Sequence, residues 1–383
     1  MLKFILIILL LNLTSFASAK DLEKTSFVLF DAGETLSFLP VMQELRQRGT
    51  PFNVLALATS KTIMKDCAEC LDLSKDCGVK TEVDSKISHT IEPFTSDDLS
   101  LILACLNPSH VVTGAPSKTQ LQLAQSFKRA GIPVIAYFDA LSPVLPGSIG
   151  SQFLLTANEF WVPSTKIADA ATLLPHTALI RATGQPTLET WKNAFQTVSK
   201  QDVRDSILGF KPGVKTVLFA GGYGTGYKES VVAFYKSMVL MPDIQVLIST
   251  HPRMGDALEK ELLADFPGFA PIFIPASVGT MKAMMISDIL VSQNSTVGIQ
   301  TYFAGRPSIY LDPLKTGYTN FLIESGLSPM LETTEELLLA LRKNRSVSNS
   351  DPYIEGGIPV NSAPLMAELI SNLRADETGK NPN

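Results

Sequence analysis

Phe27-Val28-Leu29-Phe30, followed at once by Asp31-Ala32-Gly33-Glu34-Thr35, decides the architecture of this chain. Four consecutive apolar residues without alternation describe a strand buried on both faces. The polar segment then turns the chain into an amphipathic helix that runs to Arg48 and closes at Gly49, the residue type favoured just past a helix end. Strand, polar turn and helix make one βα unit. Outward from it, strands are predicted over 53–57, 111–113, 133–138 and 159–162, and helices over 96–106 and 119–130. Ser96 is placed as an N-cap with Asp97 and Asp98 in the positive first turn, Gly131 stops the second of these helices, and Ser164 caps a further one. Pro133 stands at the start of its strand, where a missing N–H does least harm.

Residues 201–213 mix charge, Gly and Pro without a sustained period and read as a linker. The alternation then restarts, with strands over 216–220, 244–249, 289–291 and 309–311 and helices beginning near Lys228, Gly255, Val278 and Val297. Residues 334–343 are helical, 345–361 irregular, and 364–374 form a last helix before a polar tail. The fold class is α/β, with two facing Rossmann-like domains on parallel sheets and a C-terminal helix. The divisions expected are 1–19, 20–200, 214–345 and 346–383.

Residues 1–19 carry Lys3, an unbroken apolar run over 4–11 and Ala17-Ser18-Ala19, the pattern of a cleaved secretion signal. Export, to a periplasm, is the expectation; the alternative is an uncleaved anchor with the enzyme facing the cytoplasm. No later segment approaches the roughly 20 apolar residues of a spanning helix. Of the 383 residues 45% are hydrophobic and 18% charged, enough apolar material for two cores. A net charge of −5 without basic runs argues against nucleic acid as a partner and leaves small ligands open. The four cysteines, Cys67, Cys70, Cys77 and Cys105, are even in number behind an export signal, which favours disulfides, with three pairings open. A four-thiolate zinc site would need paired spacing that they lack, so no metal is expected, and no cofactor.

Open α/β sheets bind ligands beyond the carboxyl ends of their strands, where backbone N–H groups and helix N-termini converge. In the second half those loops hold Gly221-Gly222-Tyr223-Gly224-Thr225-Gly226, Thr250-His251-Pro252-Arg253 and Ser292-Gln293-Asn294-Ser295-Thr296. Gly222, Tyr223, Gly224 and Thr225 offer backbone amides to a phosphate, although the same loop also serves as a plain strand-to-helix turn. His251 and Arg253 are placed to address a diphosphate. Ser292, Asn294, Ser295 and Thr296 present hydroxyls and an amide before the next helix, where ordinary N-capping is compatible with anion binding. In the first half Asp31, Glu34 and Asp139 lie at or near strand ends, and each is a candidate base, with Glu34 slightly preferred and solvated or capping roles open for all three.

Taken in order, these motifs resemble nucleotide-sugar enzymes of the GT-B architecture, in particular the group around UDP-N-acetylglucosamine 2-epimerase and transferases with a His-Pro motif. Asp31-Ala32-Gly33-Glu34 is similar to the opening loop of that fold, which implies a ligand contact at Gly33, and Thr183-Gly184-Gln185-Pro186 to the turn before the domain crossover. His251-Pro252 matches the His-Pro that contacts the donor phosphate. Ser292 to Thr296, with Gly298, Gln300 and Gly305-Arg306-Pro307, is similar to the loop, helix and following segment that hold diphosphate and ribose. Gln300 stands where the family commonly has a Glu for the ribose hydroxyls. The His-Arg-rich loop that epimerases carry after the first strand of the second domain is replaced by Gly221 to Gly226. The resemblance therefore implies a glycosyltransferase-like protein that takes a nucleotide sugar or related phosphorylated ligand between its domains. The alternatives are an exported non-catalytic module for a glycan or phosphorylated ligand and, less favoured, a 2-epimerase.

Overall fold

The structure is a computed structural model and describes residues 24–84, 88–251, 254–343, 347 and 351–378. The expected secretion signal lies outside the described residues. The first sheet contains β1 (Lys24–Leu29), β2 (Phe52–Ala56), β3 (Cys70–Leu71), β4 (Pro108–Gly114), β5 (Val134–Tyr137), β6 (Glu159–Val162) and β7 (Leu179–Ala182), in the order β3-β2-β1-β4-β5-β6-β7. The second contains β8 (Thr216–Ala220), β9 (Gln245–Ser249), β10 (Ile272–Phe273), β11 (Ile289–Ser292), β12 (Ser308–Leu311) and β13 (Met330–Leu331), in the order β10-β9-β8-β11-β12-β13. Neighbouring strands pair in parallel throughout both sheets. The order reverses between β1 and β4 and between β8 and β11, so each sheet has a switch point at which crossovers diverge and a crevice opens.

The unalternating run at the start of β1 has the expected cause. Phe27 and Leu29 enter one core, with Phe38, Val41, Met42 and Leu45, while Val28 and Phe30 enter another, with Leu55, Val111 and Phe127. The polar turn after this strand is shorter than predicted. Asp31 is itself the N-cap, and the helix Ala32–Gln47 begins at the next residue. Glu34 is the N3 partner of a capping box, so Asp31 and Glu34 are drawn into the helix start rather than left in a loop. A similar offset moves the next cap to Thr95, whose hydroxyl accepts from Asp98 N (3.2 Å), with Ser96 as first helical residue.

Residues 345–361 were expected to be irregular, yet Pro352–Gly356 is a short helix with Pro352 in its first turn and Asp351 accepting from Tyr353 N (2.9 Å). The final helix, Ser362–Thr378, crosses back to the first sheet. Ala363, Met366, Ala367 and Ile370 are buried against the helix Ala32–Gln47, in the same core as Phe38 and Val41. Arg48 Nη2 donates to Pro364 O (3.2 Å), and Ser362 N donates to Glu189 Oε1 (2.9 Å). Gly184, at φ 83°, permits this return: a Cβ there would stand 2.1 Å from Ser362 Oγ and 2.7 Å from Pro359 O.

The helix Pro186–Thr197 bridges the two halves. Its Leu188 is buried with Ile299, Tyr302 and Phe303, and its Trp191 with Leu218 and Leu290 of the second sheet. Cys67 pairs with Cys70 and Cys77 with Cys105, which resolves the three pairings that the sequence left open. Among the described residues no helix is long and apolar enough to cross a membrane.

Candidate functional site

The first group of side chains is assembled by the ends of β1, β4 and β5. Glu34 is fully buried. Its Oε1 accepts from Phe30 N, from Asp31 N (3.2 Å) and from Gln120 Nε2 (2.8 Å), while Oε2 is buried without a hydrogen-bond partner. Gly114 makes room for this carboxyl: a Cβ there would stand 1.6 Å from Glu34 Oε2. Burial, and then the neighbouring charge of Asp139, hold Glu34 well above the usual carboxylate range.

Asp139 follows β5, and its carboxylate lies over the start of the helix Ala32–Gln47. A Cβ on Gly33 would be 2.1 Å from Asp139 Oδ2, so glycine is required for this approach. Gln185 Nε2 donates to Asp139 O (2.6 Å) and fixes the loop. Burial, reinforced by the charge of Asp31, pushes Asp139 up to about 7, and the residue keeps partial contact with solvent. Asp31 Oδ1 accepts from Ala32 N (2.9 Å) and Oδ2 lies 3.1 Å from His89 Nε2. The three predicted carboxyl groups are thus brought together, with His89, Gln120 and Gln185 as partners that sequence reading did not assign to them.

The second group is built by the ends of β8, β9, β11 and β12. Gly221 N donates to Ser249 O (2.6 Å), and a Cβ on Gly221 would stand 2.8 Å from His251 N, so the loops after β8 and β9 run in contact. The rings of Tyr223 and His251 meet edge to face at 4.7 Å. Gly222 packs on the Tyr227 ring, and Gln293 Nε2 donates to Thr225 O (2.7 Å), tying the glycine loop to the segment 292–296. Gly224, Thr225 and Asn294 are exposed. Ser295 caps the helix Thr296–Phe303 by accepting from Val297 N (3.2 Å), which leaves the Thr296 hydroxyl available at the same helix start. Arg253, with Pro252, lies outside the described residues.

Nine buried side-chain polar atoms of the described residues have no hydrogen-bond partner, and seven of them gather at the carboxyl ends of strands. In the first half these are Glu34 Oε2, Thr183 Oγ1, Gln185 Oε1 and Thr187 Oγ1; in the second, Ser292 Oγ, Gln293 Oε1 and Asp312 Oδ1. Buried polar groups are nearly always paired, and these exceptions concentrate at the strand ends of both halves. Asp312 was missed because its role depends on the fold: its Oδ2 accepts from Thr316 N (2.7 Å) and Oγ1 (2.8 Å), directing Oδ1 toward Gly226.

No family model matches the sequence, and no curated protein matches it. Solved structures do. The chain is similar to the UDP-GlcNAc 2-epimerase of Neisseria meningitidis, solved with UDP-GlcNAc, at 13% identity and TM-score 0.64, covering 92% of this chain and 100% of that one. It is also similar to the UDP-N-acetylglucosamine 2-epimerase of Rickettsia bellii (15%, TM-score 0.65, covering 93% and 96%) and to the wall teichoic acid polymerase TagF (14%, TM-score 0.59, covering 98% and 97%). The fold is GT-B.

Within the GT-B frame one expectation changes place. Gly305-Arg306-Pro307, compared above with a ribose- and diphosphate-holding segment, immediately precedes β12 and so lies at the amino end of its strand, opposite the loops just described. A cavity of about 690 Å³ opens there. Gln300 is buried one turn inside the helix Thr296–Phe303, whose first residues are half-buried.

Proposed function

We propose that this GT-B chain binds a nucleotide sugar, or a related phosphorylated ligand, between its strand-end loops and acts as a glycosyltransferase. The observation that carries the reading is the clustering of seven unpartnered buried polar atoms at the carboxyl ends of both sheets, beside His251 on one side and Asp139 on the other. The diphosphate would take the amides of residues 222–225, the His251 imidazole and the start of the helix Thr296–Phe303, where developing charge on a leaving phosphate is stabilised. Asp139 is the better base than Glu34. It titrates near 7 and meets solvent, whereas the Glu34 carboxyl is enclosed and one of its oxygens closes the helix cap.

The carboxyl cluster suits proton abstraction from a sugar carbon as well as deprotonation of an acceptor hydroxyl, and the solved neighbours named as epimerases give that second reading support. The two disulfides favour an oxidising compartment, and with it an exported chain whose donor is lipid-linked or otherwise available outside the cytoplasm. Thermal unfolding with UDP, UDP-sugars and free glycans tests binding: at 100 times Kd a ligand adds about 2.7 kcal/mol. UDP compounds should raise Tm, and His251→Ala should abolish the rise. Asp139→Asn should keep the rise and lose turnover, followed by NMR both as transfer to an acceptor and as inversion at C2. Stabilisation by glycans alone would sink the nucleotide-sugar proposal in favour of a binding module.

A further inference from the structure

The rear of the second domain carries a feature that the strand-end site does not use. The 690 Å³ cavity lies between the helix Lys200–Asp205, the approach to β8, the amino ends of β11 and β12, and the side of Lys343 and Val347. Four cations line it: Arg204, Lys215, Arg306 and Lys343. Among the described residues of that lining Asp288 is the one carboxylate, and its Oδ2 is already engaged by Thr216 N (2.8 Å). Lys215 Nζ donates to Leu341 O (2.6 Å), which spends one of its three N–H groups and fixes the ammonium in place. A second cavity, of about 340 Å³, shares Gly305 and Arg306 with the first and adds Lys192 and Lys200. In a protein of net charge −5 this is a local reversal of sign.

Arg204 supplies the independent observation. Its Nε is buried and has no hydrogen-bond partner, the one nitrogen among the nine unpartnered buried polar atoms of the described residues. A guanidinium N–H beside a cavity lined with like charge makes its strongest contact with an anionic acceptor.

We propose that this rear cavity is a second binding site, for a small ligand bearing two or more phosphoryl groups. Four cations against one engaged carboxylate call for more than a single negative charge. The volume falls in the range of small-molecule sites, roughly 300–1,000 Å³, well beyond what one phosphate fills. The concave shape favours a compact oligophosphate over a duplex, whose rigid backbone needs an open surface. Arg306 contributes a planar fork for bidentate contact, and Lys215 and Lys343 contribute point charges. The site is independent of the glycosyltransferase reading, because it stands at the opposite ends of the strands from His251 and Asp139.

Calorimetric titration of the whole chain with tripolyphosphate, at low and at physiological salt, tests the proposal. One class of binding should persist in His251→Ala and weaken at least roughly tenfold in the double variant Arg204→Gln/Arg306→Gln, since each charge-assisted contact accounts for about that factor. UDP binding by the double variant should be unchanged. Should that variant fail to fold, Lys343→Gln, at an exposed position, is expected to weaken tripolyphosphate roughly tenfold with Tm unaltered. The proposal is overturned by tripolyphosphate binding that survives these substitutions, by its complete loss in His251→Ala, by tighter binding of a DNA duplex than of tripolyphosphate, or by no binding at low salt.

Discussion

Asp139 and Glu34 are protonated more readily in the folded chain than in the unfolded one, and stability must follow. For Asp139 the ordinary value is 3.8 and the folded value about 7, so between these the native state binds more protons. Its contribution is complete below about pH 4 and is lost as pH rises through 7. Glu34 is displaced in the same direction by burial. Thermal unfolding of the wild type should therefore show Tm falling between about pH 4 and about pH 7, and Asp139→Asn should flatten that fall; an unchanged slope would remove Asp139 from the account. Gly114 is the steric counterpart. Its Cβ would collide with the Glu34 carboxyl, so Gly114→Ala is expected to lower stability by about 1–3 kcal/mol in urea unfolding, as overpacking of a filled core does. Much of this site was legible in the sequence, since Asp31, Glu34, Asp139, Gly222 and His251 all sit where strand ends were expected. Their partners were not. Gln120 reaches Glu34 across 86 residues and Gln293 reaches Thr225 across 68, and no local pattern encodes a contact that only the crossovers create.

Among the elements, the central strands were readable because a strand covered on both faces carries an unbroken apolar run, as residues 160–162 of β6 and 217–220 of β8 do. The edge strands β3, β10 and β13 have two residues each, too few to show any period. The helix Pro186–Thr197 was hidden for a different reason: Thr183-Gly184-Gln185-Pro186 carries the residues of a turn, while Pro186 is in fact the helix's first residue, where its missing N–H is harmless. The two disulfides differ in what they tie. Cys77–Cys105 closes a loop of 28 residues and Cys67–Cys70 one of 3. By loop-closure entropy the first should contribute about 3–4 kcal/mol and the second much less. Cys77→Ala/Cys105→Ala is therefore expected to lower Tm well beyond Cys67→Ala/Cys70→Ala. Equal shifts in calorimetry would show that the short bridge, at edge strand β3, matters through native packing instead.

At the scale of the whole molecule, the first domain is completed by residues from the far end of the chain. Met366 is fully buried against the helix Ala32–Gln47, so Met366→Ala should cost about 2–5 kcal/mol, and the loss should appear in the unfolding of the first domain alone. Limited proteolysis provides the check: cleavage should accelerate within residues 24–182 and remain unchanged within 216–331. Domains usually fold as units in the order in which they are synthesised. Here residues 216–331 contain a whole sheet in one uninterrupted stretch, whereas the core around β1 lacks a wall until Ser362–Thr378 has been made. The half translated first must wait, apolar helix face uncovered, while the later half is free to finish ahead of it. The part of the chain that begins its journey from the ribosome earliest is the last to be sealed.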